Sequence, residues 1–321
     1  MKLRKIIATF LTALTLSSFL VTGGCEDKKD DTKNPDGDKT ASDSLTGDAK
    51  EDYSNKAKVI LLVGQSNMAG ATFNPTARAV GKEKMKEYKT GYENVKIMFS
   101  SGIRGNAENT WNTSGGVFKN TGLSQGATMS QFGPELGLAE YLNEQYPGEE
   151  FYLVKHALGG AQIDDYLGRA NPDLDCYSHI KKQFDLAVNE IKKTTDKEIV
   201  VVAICWMQGE SESAQEAAAN TYKERTEKLI NNFRTDYKDY APAGGISWID
   251  AGISDSSLWP LHKTINNAKK EISDANDKNY FIDTIGAGLV VGADNAHYDP
   301  VSEIKLGRLF GEKVQEVITK G

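Results

Sequence analysis

The run Val59-Ile60-Leu61-Leu62-Val63-Gly64-Gln65-Ser66-Asn67-Met68-Ala69-Gly70 puts a serine hydroxyl where a nucleophile could work. Five apolar residues read as a buried strand, Gly64 ends it, and Gln65-Ser66-Asn67 falls in the turn into a helix. In open α/β sheets ligands bind outside the carboxyl ends of the strands, so Ser66 stands at the mouth of such a site. Its backbone N–H lies near a helix N-terminus, which favours an intermediate carrying negative charge. Phosphate-binding readings fail on spacing. The dinucleotide fingerprint needs a glycine at position 66, and a P-loop needs Lys and Ser/Thr where Ala71-Thr72 stand.

Two further strands end in similar turns. Phe151 to Lys155 leads into His156-Ala157-Leu158-Gly159-Gly160-Ala161-Gln162, where paired glycines let the backbone approach a ligand and offer N–H groups to it. Ile199 to Trp206 leads into Met207-Gln208-Gly209-Glu210-Ser211-Glu212. Shorter strands are expected over 95–99, 245–251 and 281–283. Helices are expected over 82–88, from Pro134 to Leu142, over 178–193 and 214–237, and from Ser302 to Ile318. The stretch 100–132, rich in Gly, Ser, Asn and Thr, is too long for a structureless loop. Strands alternating with helices predict a parallel, helix-flanked sheet whose site is assembled from the strand-end turns.

Lys2, Arg4 and Lys5 precede an apolar run from Ile6 to Val21 and small residues up to Cys25, which is a signal-peptide layout. Gly23-Gly24-Cys25 is similar to a bacterial lipoprotein box, with Thr22 where that pattern prefers Leu; it predicts lipidation of Cys25 and a membrane anchor on an exported protein. Residues 26–57 are rich in Asp, Lys, Thr, Ser and Gly and read as a disordered tether, leaving 58–321 as one catalytic domain. A chain of net charge −7 offers no footprint for nucleic acid. Beyond Cys25 only Cys176 and Cys205 remain, too few for a disulfide framework, and neither C-x-x-C nor H-E-x-x-H occurs. Neither a metal nor a cofactor is expected.

Five blocks now stand in order: Gly64 to Gly70, Phe132-Gly133-Pro134-Glu135, Gly159-Gly160, Trp206-x-Gln208-Gly209-Glu210-Ser211 and Asp294-x-x-His297. Together they resemble the SGNH/GDSL hydrolases, and within them the sialate O-acetylesterase and acetylxylan esterase group, carbohydrate esterase family six. The resemblance covers nearly all of 58–318. It implies a three-layer α/β/α sandwich of flavodoxin-like type and a serine esterase that removes acetyl groups from carbohydrates without a metal. Ser66 would be the nucleophile and His297 the base that takes its proton. Asp294 would hold the imidazole tautomer, with Glu210 as the alternative acid. The Ser66 N–H, the Gly160 N–H and the Gln208 amide would form the oxyanion hole. Gln65, Asn67 and Gly159 would shape the substrate pocket. Met207 stands where the group often has His, and Glu212 where it has Asp, which bears on substrate contacts rather than on the chemistry.

Two other functions are compatible with the pattern. One is a non-catalytic carbohydrate-binding lipoprotein that stacks sugars on Trp111, Trp248 and Trp259; the set Ser66, Gln208 and His297 argues against it. The other is an esterase for apolar acyl chains, against which the polar 100–132 stretch argues.

Overall fold

Strand β1, Lys56–Gly64, lies in the middle of the sheet, and its residues Val59 to Val63 are fully buried. An unbroken apolar run fits that position, because a central parallel strand is covered on both faces. The computed structural model describes residues 51–105, 111–168 and 175–320. The signal segment with Cys25 and the tether up to residue 50 lie outside the described residues. Ordered structure nevertheless begins before residue 58. Tyr53 is buried, the Glu51 carboxylate accepts the Ala243 N–H at 2.7 Å, and β1 itself starts at Lys56.

The chain continues through α1 (Ser66–Ala69), β2 (Thr72–Phe73), α2 (Ala77–Val80), α3 (Lys82–Thr90), β3 (Tyr92–Ile103), β4 (Asn112–Thr113), β5 (Lys119–Thr121) and β6 (Gln131–Phe132). Then come α4 (Glu135–Gln145), β7 (Phe151–Gly159), α5 (Cys176–Ile191), β8 (Glu198–Met207), α6 (Glu216–Asn220) and α7 (Tyr222–Asp236). The last elements are β9 (Ser247–Ala251), α8 (His262–Asp274), β10 (Asn279–Ile282) and α9 (Pro300–Lys320). The main sheet runs β10-β9-β8-β1-β7-β3-β4, with β5 also on β3. From β10 to β3 every pairing is parallel, and only β4 and β5 are antiparallel.

Taken in chain order, β1, β7, β8, β9 and β10 stand as 2-1-3-4-5, the flavodoxin-like order, with β3 added at the edge. The order reverses between β1 and β8, so the ligand crevice belongs at the carboxyl ends of those two strands. Helices α4 and α9 pack together on one face, where Glu135 of α4 meets Lys155 of β7. Helices α5, α7 and α8 cover the other, where the next residue, His156, meets His179 of α5. The α/β/α sandwich expected from the sequence is the fold observed.

Two elements differ from the sequence reading. The stretch 214–237 is a 3-10 turn, α6 and α7 rather than one helix. The break falls at Thr221, whose hydroxyl donates back to the carbonyls of Ala217 and Ala218 in place of a continuing ladder. Helix α8 was not anticipated. Its inward stripe Ile265, Ala268, Lys269, Ile272 contains a lysine, which interrupts the apolar period; Lys269 is buried because it pairs with Asp250 and donates to the Ala251 carbonyl at 2.9 Å. The polar 100–132 stretch holds the end of β3 and the short strands β4, β5 and β6. Trp248 belongs to the core, with its ring centroid 5.5 Å from that of Trp206, and offers no face to a sugar. Cys176 and Cys205 are free, buried thiols.

Candidate active site

Gly64 ends β1 at φ +153°, and a Cβ there would sit 2.1 Å from the Met207 carbonyl oxygen. Only glycine lets the ends of β1 and β8 approach this closely. Gln65 then joins the two strand ends: its N–H donates to the Met207 carbonyl at 2.9 Å, and its side-chain oxygen accepts from the N–H groups of Gly209 (3.4 Å) and Ser211 (3.3 Å). Ser66 follows as the first residue of α1 and is 8% exposed. N–H groups in a helix's first turn have no intrahelical acceptor, so the Ser66 N–H remains available.

His297 comes from the loop between β10 and α9. Its Nδ1 lies 2.7 Å from Oδ2 of Asp294. The other carboxylate oxygen, Oδ1, accepts the N–H groups of Ala296 (2.9 Å) and of His297 itself (3.0 Å). Burial works to raise the Asp294 pKa, but these donors prevail and hold it below the ordinary carboxylate value. The loop is tied to the serine turn through Tyr298, the residue after His297. The Tyr298 N–H donates to Asn67 Oδ1 at 3.2 Å, and the Thr72 hydroxyl donates to the Tyr298 carbonyl at 2.7 Å. Glu210 lies on the far side of Asn67, whose Nδ2 donates to Glu210 Oε1 at 2.8 Å. Asp294 therefore meets His297, while Glu210 meets Asn67.

The third component is the turn after β7. Gly160 adopts φ +76°, a left-handed conformation that favours glycine. The turn is braced around it. Arg104 N–H donates to the Gly159 carbonyl at 2.9 Å, the Arg104 guanidinium pairs with Asp165, and Asp165 accepts the Gln162 N–H at 2.7 Å. Glu212 accepts the Ile163 N–H at 2.7 Å. Among the described residues the Gly160 N–H has no acceptor, so it points to no competing protein group.

Gln208 joins this bracing. Its amide donates to the Ala161 carbonyl at 3.2 Å and to the Glu212 carboxylate, and its side chain is fully buried. Both amide hydrogens are thereby engaged, so the side chain supports the Gly160 turn instead of presenting a donor to an oxyanion, as the sequence reading had it. Gln65 and Asn67, read from the sequence as pocket residues, likewise bind protein and are buried, and Gly159 is a buried residue of β7.

The residues that the sequence did not single out are Thr72, Tyr298, Arg104 and Asp165. Two of them carried a usable signal: Thr72 stands two residues after the first block and Tyr298 follows the histidine. Among the described residues no group of three or more His, Cys, Asp or Glu is arranged to hold a metal ion.

A serine at the carboxyl end of the central strand, a braced glycine turn and an Asp–His pair leading into the terminal helix are thus carried by this α/β/α sandwich. The chain belongs to the carbohydrate esterase family of sialic acid-specific acetylesterases, whose model matches residues 56–316. It is a carbohydrate acetylesterase by that membership. Solved structures are similar in fold. A protein from Arabidopsis thaliana superposes with a TM-score of 0.58 at 17% identity, over 81% of this chain and 98% of the other. NanS superposes with a TM-score of 0.56 at 12% identity, over 85% and 99%. No curated protein sequence matches.

Proposed function

We propose that the protein removes O-acetyl groups from a neutral plant polysaccharide such as acetylxylan, through an acetyl-enzyme on Ser66. Ser66 Oγ attacks the acetyl carbonyl carbon as His297 takes its proton, and Asp294 holds the imidazole in the tautomer that can do so. The oxyanion is held by the N–H groups of Ser66 and Gly160. The sugar oxygen leaves with the proton from His297, and water repeats the sequence to release acetate and free Ser66. The observation that carries this reading is the 2.7 Å contact of Asp294 with His297, on a loop hydrogen-bonded to the residue after Ser66.

The charge around the site supports a neutral substrate. The chain is net −7, Asp294 is at the surface, and the guanidinium of Arg104, whose Cβ packs beside Gly160, is already paired with Asp165. The second reading, a sialate O-acetylesterase, is favoured by the description of the family. Acetate release from acetylated xylan, mannan, chitooligosaccharide and sialic acid separates the two. We expect the highest kcat/KM on xylan. Fastest release from sialic acid would replace the polysaccharide reading, and binding without any acetate release would support a carbohydrate-binding lipoprotein.

The proposal includes export and membrane anchoring through a lipid on Cys25, motivated by the charged start, the apolar run and Gly23-Gly24-Cys25. Cys25→Ala should move the protein out of the membrane fraction. Membrane association unchanged by that substitution would rule the lipid out as the anchor.

A further inference from the structure

We infer that Glu210 is a positioning residue for this site: acting through Asn67, it fixes the backbone that carries His297 against the turn that carries Ser66. The inference rests on the roles given above to Ser66 and His297.

Asn67 is the neighbour of Ser66, and Tyr298 is the neighbour of His297. Consecutive Cα atoms are about 3.8 Å apart, so whatever binds these two neighbours sets the spacing of the two reacting side chains. The bond between them is Tyr298 N–H to Asn67 Oδ1, at 3.2 Å. A primary amide can present either its oxygen or its nitrogen, and only the oxygen can accept from a backbone N–H. Glu210 decides which. Its Oε1 accepts from Asn67 Nδ2 at 2.8 Å, so the NH2 end faces Glu210 and the oxygen is left for Tyr298. With the amide turned over, oxygen would face oxygen on one side and N–H would face NH2 on the other, and both bonds would be lost.

The latch is anchored at both ends. Glu210 and Asn67 are buried, and the Ser213 hydroxyl donates to the Glu210 carbonyl at 2.8 Å, fixing the loop after β8. Tyr298 is buried as well, and its carbonyl is held by Thr72, from the same side as Ser66. Both peptide groups of Tyr298 are thus gripped by residues of the segment 66–72.

An acceptor is all this role requires. His297 Nδ1 already has Asp294, and burial raises the Glu210 carboxyl, against the pull of the Asn67 bond and of the Lys269 and His297 charges. Glutamine at 210 keeps an acceptor oxygen at the same reach, whereas leucine of similar volume keeps none. A misplacement of about 1 Å at a reacting pair costs on the order of a hundredfold in rate.

The experiment combines steady-state kinetics on p-nitrophenyl acetate with hydrogen–deuterium exchange at the Tyr298 amide, in Glu210→Leu, Asn67→Leu, the double variant and Glu210→Gln. Each leucine variant should lower kcat about a hundredfold with KM nearly unchanged, and should speed Tyr298 exchange about tenfold or more as the bond opens. The double variant should be little worse than either single one, because both break the same chain of bonds. Glu210→Gln should recover most of the kcat lost in Glu210→Leu and keep the exchange slow. Tyr298 exchange unchanged in Glu210→Leu would overturn the inference. Multiplying losses in the double variant, or a Glu210→Gln as damaged as Glu210→Leu, would do the same. If Glu210→Leu does not fold, Asn67→Leu and Glu210→Gln carry the same comparison. Exchange is read without turnover, so an unmodified protein that releases no acetate from any ester would sink the esterase reading and leave the latch to be judged on the Tyr298 amide alone.

Discussion

Ser66→Ala and His297→Ala should each lower kcat by about ten thousandfold or more, and the double variant should be little worse than either single one. The reason is that the two side chains act in one event. A serine hydroxyl is a poor nucleophile until its proton has somewhere to go, and an imidazole with no hydroxyl to deprotonate accomplishes nothing. Removing either ends the event, and removing the second takes away what is already idle. What survives in all three variants is the binding site and the N–H groups of Ser66 and Gly160, which are backbone and do not change with the side chains. A serine-directed organophosphate should label Ser66 in the unmodified protein and fail to label Ser66→Ala, and labelling should slow sharply in His297→Ala. Chelators should leave the rate unchanged. Full activity in Ser66→Ala, or activity abolished by a chelator and restored by a divalent metal, would sink the serine mechanism and point to a metal-activated water near Asp294 and His297.

Much of the scaffold was legible in the sequence because it follows from local chemistry. Val59 to Val63 read as a buried strand since nothing in the run is polar, and Gly64 marked its end because no other residue tolerates the approach of Met207. The Asp294–His297 contact is local too, being closed within three residues by the turn that Asp294 Oδ1 caps. What escaped was set by partners far along the chain. Lys269 hid α8 because its burial depends on Asp250, nineteen positions earlier. Asn67 takes its orientation from Glu210, 143 positions later, and Gln208 is drawn inward by Ala161, 47 positions earlier. A motif fixes which residue types meet in a site. Which of their hydrogens remain free for substrate depends on neighbours that the motif does not contain. For the same reason the start of the domain lay nearer the N-terminus than the composition implied: a single aromatic, Tyr53, is buried within a polar stretch.

Asp294→Asn should lower kcat about a thousandfold or more while leaving the fold and KM close to unchanged. In the native loop one carboxylate oxygen accepts two backbone N–H groups and the other faces His297 Nδ1 at 2.7 Å. An ionised carboxylate accepts on both sides, so Nδ1 carries the proton and the opposite ring nitrogen, Nε2, is free to take one from Ser66. Asparagine has a single acceptor oxygen. The two backbone donors retain it, which preserves the turn, and the NH2 group is then presented to Nδ1. An N–H facing Nδ1 selects the tautomer with the proton on Nε2, which cannot act as the base. The loss thus comes from a tautomer rather than from a collapsed loop, and the melting temperature should change little because the Asp294 side chain is largely exposed. In the native protein Asp294, held below the ordinary carboxylate range, stays ionised wherever a neutral imidazole is present to act. Its contribution is lost only as pH falls through that lowered value. Glu210→Gln should cost far less, because the Glu210 carboxyl meets Asn67 and not the imidazole. If both variants fold and Glu210→Gln proves the more damaging, the acid that orients His297 is Glu210, and Asp294 is left as the cap of the turn.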